Sequence, residues 1–411
     1  MTIHRRHMVI QILITTLVFL IVRGGECGII EKNLRMTAVD ISSRINTGIA
    51  DNTGPFWSWS GLRATCLSPS PSGESKVGWH DTAGNIHITP LNANDTRKTD
   101  DIVISRGRMY DLVSHNDGFA ILILENDRMY IERYDNSGAR WFQTELNDSD
   151  DETHEWHGGK LSWDGIRYAA YFAIHATAGW AAGHEGDKLK YIDSSGTILS
   201  GGWEWGCSHS MDVRILFAGP GPMPVCISDC YPGKGLYLKN RFLIAESDGD
   251  CRGISNARFG QAAYFKGHLA LIFLAIDGRT SWDVVFASLS ASSPHNVRMV
   301  QALTNTQGNE INPKVIAYDQ DHLLASWEAD GMREFVLLNL DGQSVGPRER
   351  IAVMAGPVDD FQTFPNGEIG WAYAWGDLNK LKIMRIQSAE SPLTPVIVPQ
   401  LMLLLKESYP Q

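Results

Sequence analysis

Residues 161–175 read LSWDGIRYAAYFAIH. Two apolar runs of strand length flank a D-G turn, the residue pair that accepts tight backbone geometry, so the stretch reads as a β-hairpin. The same phrase returns at 261–278 (QAAYFKGHLALIFLAIDG), 313–331 (PKVIAYDQDHLLASWEADG) and 361–377 (FQTFPNGEIGWAYAWGD). Further runs divided by Asp, Asn and Gly turns lie at 77–91 (VGWHDTAGNIHITPL), 129–146 (MYIERYDNSGARWFQTEL), 189–199 (LKYIDSSGTIL) and 334–346 (EFVLLNLDGQSVG). Helix-period patterns are scarce, and the chain is rich in strand-favouring aromatics, with 13 Trp, 12 Tyr and 14 Phe. The expected fold class is all-β.

Working outward, units of this kind begin near Leu62, Met109, His157, His209, Gln261, Asn312 and Asp360, spaced 47 to 52 residues apart. Each unit is long enough for four strands, so residues 33–388 read as one seven-bladed β-propeller. The last unit falls short: after LKIMRIQ (381–387) the chain meets Pro392, Pro395 and Pro399, and 389–411 reads as a tail. A spare strand, NLRMTAVDISS (33–43), is expected to complete the seventh blade and close the ring. Two separate β-sandwiches would give that spare strand no role. The architecture resembles the broad group of secreted propellers with degenerate repeats. It has no WD series, kelch pattern or Asp-box run, and fold alone assigns no chemistry.

The N-terminus has a basic stretch (His4-Arg5-Arg6-His7), an apolar run from Met8 to Val22, then Arg23-Gly24-Gly25. This three-part layout is that of a secretory signal in residues 1–24. An uncleaved segment would instead anchor the protein to a membrane. Cleavage removes three arginines and no acid, taking the formal charge from -11 to -14, which argues against nucleic-acid binding. The expected location is extracellular, and the expected state monomeric. Six cysteines fit three disulfides there: Cys27 with Cys66, and two bridges among Cys207, Cys226, Cys230 and Cys251. Sequons at Asn94 and Asn147 fit glycosylated surface loops.

The repeat period decides how the histidines are read. His157 and His209 begin the third and fourth units, as Gln261, Asn312 and Asp360 begin the last three, so all five are expected around one mouth of the central channel. His175 ends the second strand of the third unit, and the following loop, ATAGWAAGHEGD, brings His184 to the same face. Polar residues line any propeller channel and can hold only water. Four imidazoles from adjoining segments also suit a divalent metal (Cu, Zn or Mn), with His157, His175, His184 and His209 as ligands. Arg333 and Trp282 join Gln261, Asn312 and Asp360 as expected substrate contacts.

No G-x-S-x-G, Walker loop or H-E-x-x-H is present. The layout is similar to that of propeller-fold polysaccharide lyases, which combine His, Tyr and Arg on one face. That likeness implies a secreted metal-dependent enzyme cleaving an extracellular glycan by proton abstraction beside a uronate. His157 or His209 would be the base and Tyr231 the acid, while the metal or Arg279 neutralises the carboxylate. The alternatives are a copper or iron oxidoreductase acting on a peptide or small molecule, and a non-catalytic propeller that binds glycan or protein.

Overall fold

The protein is described by a computed structural model covering residues 28–50, 63–205, 213–218, 221–228, 235–238, 241–245, 257–276, 281–293, 296–356 and 358–388. Its strands form seven separate antiparallel sheets arranged as a seven-bladed propeller. In chain order the first strands are Thr65–Pro69, Arg108–His115, Gly159–Trp163, Val213–Ala218, Ala257–Phe265, Ile311–Ala317 and Gln362–Thr363. These seven neighbour one another around the centre, so they are the inner strands and define the channel. The sequence spacing placed all seven units within a few residues of these starts.

The spare N-terminal strand, Leu34–Asp40, pairs antiparallel with Lys380–Ile386 and is the outermost strand of the last blade. The segment after it continues to the first blade, where Asn46 N–H donates to the His80 carbonyl at 2.8 Å. Arg385, on Lys380–Ile386, is buried and donates from Nε to both oxygens of Asp95 at 3.1 Å. Asp95 belongs to the first blade and also accepts Arg35 from the N-terminal strand at 3.3 Å. The first and last blades are thus joined by a buried, charge-assisted contact as well as by packing.

The hairpins are built as the D-x-x-G turns require. Asp135 and Asp193 each accept two downstream backbone N–H groups, and Gly138 and Gly196 take φ values of +87° and +91°. A side chain at either glycine would be strained there. Between blades the core is aromatic. Trp79, Trp327 and Trp371 sit on the second strands of blades one, six and seven and are fully buried. Truncating one such ring to alanine costs about 3–5 kcal/mol.

Two sequence expectations meet different chemistry. Cys66 is a free, buried thiol, placed so that Arg63 Nη1 donates to its sulfur at 3.1 Å, and the expected bridge from Cys66 to Cys27 is not formed. Burial drives its pKa up to about 12, against the opposing pull of Arg63, so it stays protonated. Asn147 is buried rather than displayed. Its amide donates to Asp151 at 2.6 Å while its carbonyl accepts Met129 N–H at 2.6 Å, which leaves no amide for a glycan. Asn94 is exposed.

Residues 1–24, Cys27, Cys207, Cys230, Cys251, His209, Tyr231, Arg279 and the tail 389–411 lie outside the described residues. Among the described residues no helix is long and apolar enough to cross a membrane.

Candidate functional site

Two groups of polar residues converge near the third blade and the channel. The first is built from the chain between blades two and three and from the second and third strands of blade three, Arg167–Ala176 and Glu185–Asp193. Strand pairing sets Glu152 opposite His175, and His175 opposite Glu185. The loop from 153 to 158 returns His154 to the same place, with its ring 5.2 Å from that of His175.

Glu185 lies between two histidines. Its Oε1 accepts His175 Nδ1 at 2.8 Å, and its Oε2 lies 2.6 Å from His157 Nε2. His157 is fully buried and its Nδ1 accepts the backbone N–H of His154 at 3.1 Å. The neutral ring therefore carries its proton on Nε2, facing Glu185. Burial lowers the His157 pKa, outweighing the attraction of Glu185. Glu185 moves down too, because hydrogen bonds from both imidazoles overcome its own desolvation. Both shifts describe one state, a neutral His157 beside an ionised Glu185.

This geometry sorts the expected metal ligands. His157 has Nδ1 held by the His154 backbone and Nε2 turned to Glu185 at 2.6 Å, so it acts through Glu185. His175 has Nδ1 held by Glu185, the arrangement by which a carboxylate orients a metal-ligating imidazole. His184 is exposed and is not gathered with the others. Instead, donor atoms of Glu152, His154 and His175 all lie within 4.8 Å of one another. His154 Nε2 is 3.3 Å from Glu152 Oε1. Two ligands at about 2.0–2.2 Å from one tetrahedral ion stand about 3.4 Å apart, so the pair is already suitably spaced. Sequence reasoning missed His154 and Glu152 because neither begins or ends a long strand. The tight segment DETHEWH, with its alternating acids and imidazoles, is the signal that could have found them.

One exposed aromatic ring packs against this cluster and another lies in the turn after His175. Trp156 is 41% exposed and its ring centroid lies 4.4 Å from that of His154; Trp180, in the turn after His175, is 85% exposed and packs edge-on to Trp205.

The second group is the channel. Asp111, Lys160, Arg214, Gln261 and Lys314 come from the inner strands of blades two to six, and all are buried. They receive the segment 358–361 that leads into blade seven. Lys160 donates to Asp360 Oδ2 at 2.6 Å and to the Val358 carbonyl at 2.9 Å. Gln261 exchanges two hydrogen bonds with the Phe361 backbone, at 2.9 and 3.0 Å. Arg214 and Lys314 approach Asp360 at 3.6 and 3.9 Å. Arg63, just before the first blade, pairs with Asp111 at 2.9 Å. Burial lowers the Lys160 pKa to about 8 and the Lys314 pKa to about 7, helped by neighbouring cations and resisted by Asp360. Burial raises that of Asp359 to about 6.

Gln261 and Asp360 therefore do lie at the channel, as expected, but as cross-ring fasteners. Asn312 takes φ +52° beside an irregular pairing, with its amide 3.4 Å from the Ala355 carbonyl, while Lys314 two residues on supplies the charge. Arg333 is buried inside blade six, held by Glu328 and by Ser326 Oγ at 2.9 Å. Trp282 lies under Arg258, 4.4 Å from its guanidinium.

No protein-family model matches this sequence, and neither does any curated protein. Solved structures match over most of this chain. The BP39L lectin of Burkholderia pseudomallei matches 80% of this chain over 98% of its own, at 10% identity and TM-score 0.54. An α-L-arabinanase of Penicillium chrysogenum matches 86% over 99%, at 11% identity and TM-score 0.44. The Dos1 propeller matches 80% over 94%, at 12% identity and TM-score 0.40. At 10% identity the likeness to the lectin is one of fold alone, in keeping with the seven sheets described above.

Proposed function

We propose that this chain is a secreted, metal-dependent propeller protein that acts on an extracellular glycan at the rim of its third blade, with Glu152, His154 and His175 as the metal ligands. The observation that carries the reading is the Glu185 carboxylate holding His175 by Nδ1, while Glu152 and His154 converge on the same point. Two imidazoles and one carboxylate suit zinc, manganese, iron or copper, and leave coordination positions for water or substrate. Glu152, His154 and His175 would hold an ion that could supply Lewis-acid chemistry, polarising a substrate oxygen or neutralising a uronate carboxylate and so acidifying the neighbouring C–H. Exposed Trp156 and Trp180 supply flat faces on which sugar rings stack.

The test is elemental analysis of the purified full-length secreted protein, followed by assay on acidic polysaccharides for the ultraviolet absorbance of an unsaturated uronate. Wild type should retain about one divalent ion per chain. His154→Ala and His175→Ala should each lose the ion and the activity, with the far-ultraviolet circular dichroism unchanged. A redox-active ion with visible absorption bands, and no lyase product, would favour an oxidoreductase. Wild-type protein that binds none of these metals would leave a glycan-binding module as the better description.

A further inference from the structure

The channel holds a second feature, separate from the rim cluster. Arg63 is 3% exposed, and its guanidinium is used on one side only: Nη1 contacts Asp111 at 2.9 Å and the Cys66 sulfur at 3.1 Å. The opposite edge, Nε with Nη2, is buried and has no hydrogen-bond partner. That edge is the two-pronged fork that matches the two oxygens of a carboxylate. Two further buried oxygens nearby have no hydrogen-bond partner, Asp359 Oδ1 and Asp360 Oδ1, the latter approached by Arg214 and Lys314 only at 3.6 and 3.9 Å. Both carboxylates act electrostatically on Arg63, and Asp359 is tied by its other oxygen to Thr65, two residues from Arg63, at 3.1 Å.

Leaving donors and acceptors of this kind unpaired in a protein interior costs about 1–3 kcal/mol per group, more when charged. A partner that satisfies all of them must accept two hydrogen bonds from Arg63 and donate to two carboxylates. A simple anion cannot donate, and a neutral polyol, whose hydroxyls both donate and accept, offers the Nε/Nη2 fork no charged two-oxygen acceptor. The side chain of Asp360 is 18% exposed, while its Oδ1 is buried.

We infer that the channel is a binding site for a small hydroxylated carboxylate, a sugar acid, with the carboxylate on the Nε/Nη2 edge of Arg63 and hydroxyls donating to Asp359 and Asp360. This site needs no metal and does not rest on the rim reading. The acid can be the terminal uronate of a glycan or a free monosaccharide acid, since the recognised chemistry is the same.

Titration calorimetry on the full secreted chain, run in chelator so that the rim contributes nothing, tests the site. D-glucuronate and D-glycerate are the probes, with glucose, glycerol and sulfate as matched controls. The two acids should bind, the neutral compounds should not, and sulfate should bind at least tenfold more weakly. Arg63→Lys keeps the charge but loses the fork, and should weaken both acids tenfold or more. Because that change also disturbs the Asp111 pair and can impair folding, Asp359→Asn is the second variant; it keeps Arg63 and the side-chain shape, and should weaken both acids severalfold. A glucuronate oligosaccharide binding as tightly as free glucuronate identifies a chain terminus as a ligand source, and tighter binding of the free acid identifies the monosaccharide. Failure of both acids to bind folded wild type overturns the inference. So does equal binding of sulfate, undiminished binding in both variants, or a soaked crystal with only water against Arg63.

Discussion

Blade three carries two clusters of three potential ligands, a few residues apart, and they have opposite characters. Asp148, Asp151 and Glu204 surround the ammonium of Lys188, which is fully buried; Asp148 lies 2.6 Å from Nζ, Asp151 is in direct contact, and Glu204 is at 3.5 Å. Glu152, His154 and His175 surround no described Lys or Arg, and their only charged neighbours are other acids and imidazoles. A carboxylate cluster that already contains its own cation is a structural ion pair. A cluster of two imidazoles and one carboxylate, steadied from behind by Glu185, is suited to receive a cation from outside. The difference lies in what stands at the centre, which a count of acidic residues does not disclose.

The sharpest way to break this comparison is Lys188→Met. It leaves the buried Asp151 carboxylate without its counter-charge and should lower stability by about 3–5 kcal/mol, read as a shift in the urea midpoint. An unchanged midpoint would mean that the cluster is not held by Lys188. Glu185→Gln comes next. It keeps the shape but weakens the hold on His175, so metal affinity should fall about 10–100-fold in a competition titration while the urea midpoint moves far less. Equal affinity in the two proteins would remove Glu185 from the site.

Acidity separates the clusters by a smaller effect. Lys188 is raised, its carboxylate partners overcoming burial, so its contribution holds below the ordinary lysine pKa of about 10.5 and fades above it. Asp148 is lowered, since its lysine contacts outweigh burial, so its contribution holds above about 4 and fades below. That pair should be indifferent to pH from about 5 to 9. His157 is lowered by burial, so the stability of its neutral form is present above about 6.5 and lost as pH falls towards its folded value. Amide exchange at pH 7 and pH 5 should therefore loosen the 153–158 loop while leaving 188–190 protected. Smallest of all is His184→Ala: an exposed side chain outside the cluster should change stability by no more than about 0.5 kcal/mol and leave metal content intact.

The fold was legible because blades one, two, three and six repeat the same local physics: alternating or apolar strands, Asx turns that satisfy two N–H groups, and a glycine where φ must be positive. Seven unit starts and the added N-terminal strand follow from that alone. The site was legible only to the resolution of a strand start. The period located the channel mouth, and so named Gln261 and Asp360, but it chose His157 where Lys160 faces the channel and Asn312 where Lys314 does. Two or three residues decide which way an inner-strand side chain points, and an irregular pairing at 311–314 shifts that phase further. His154 escaped because its position depends on a loop. Arg333 looked like a rim residue because its D-G turn is on the surface, yet its long side chain runs back into the blade to Glu328.

The strand Leu34–Asp40 is hydrogen-bonded to partners some 350 residues further along the chain. On a ribosome adding about 5–20 residues per second, this strand has to wait on the order of 20 to 70 s before the strand it pairs with exists. Throughout that interval its backbone donors and acceptors form an uncovered edge, while six blades can assemble beside it. The order of synthesis and the order of assembly thus run in opposite directions at this one strand, and the last blade can be completed only after the rest has been made. Chaperone dependence and aggregation during expression should therefore respond most to charge and β-propensity in residues 34–40, even though the finished molecule shows them as an ordinary outer strand.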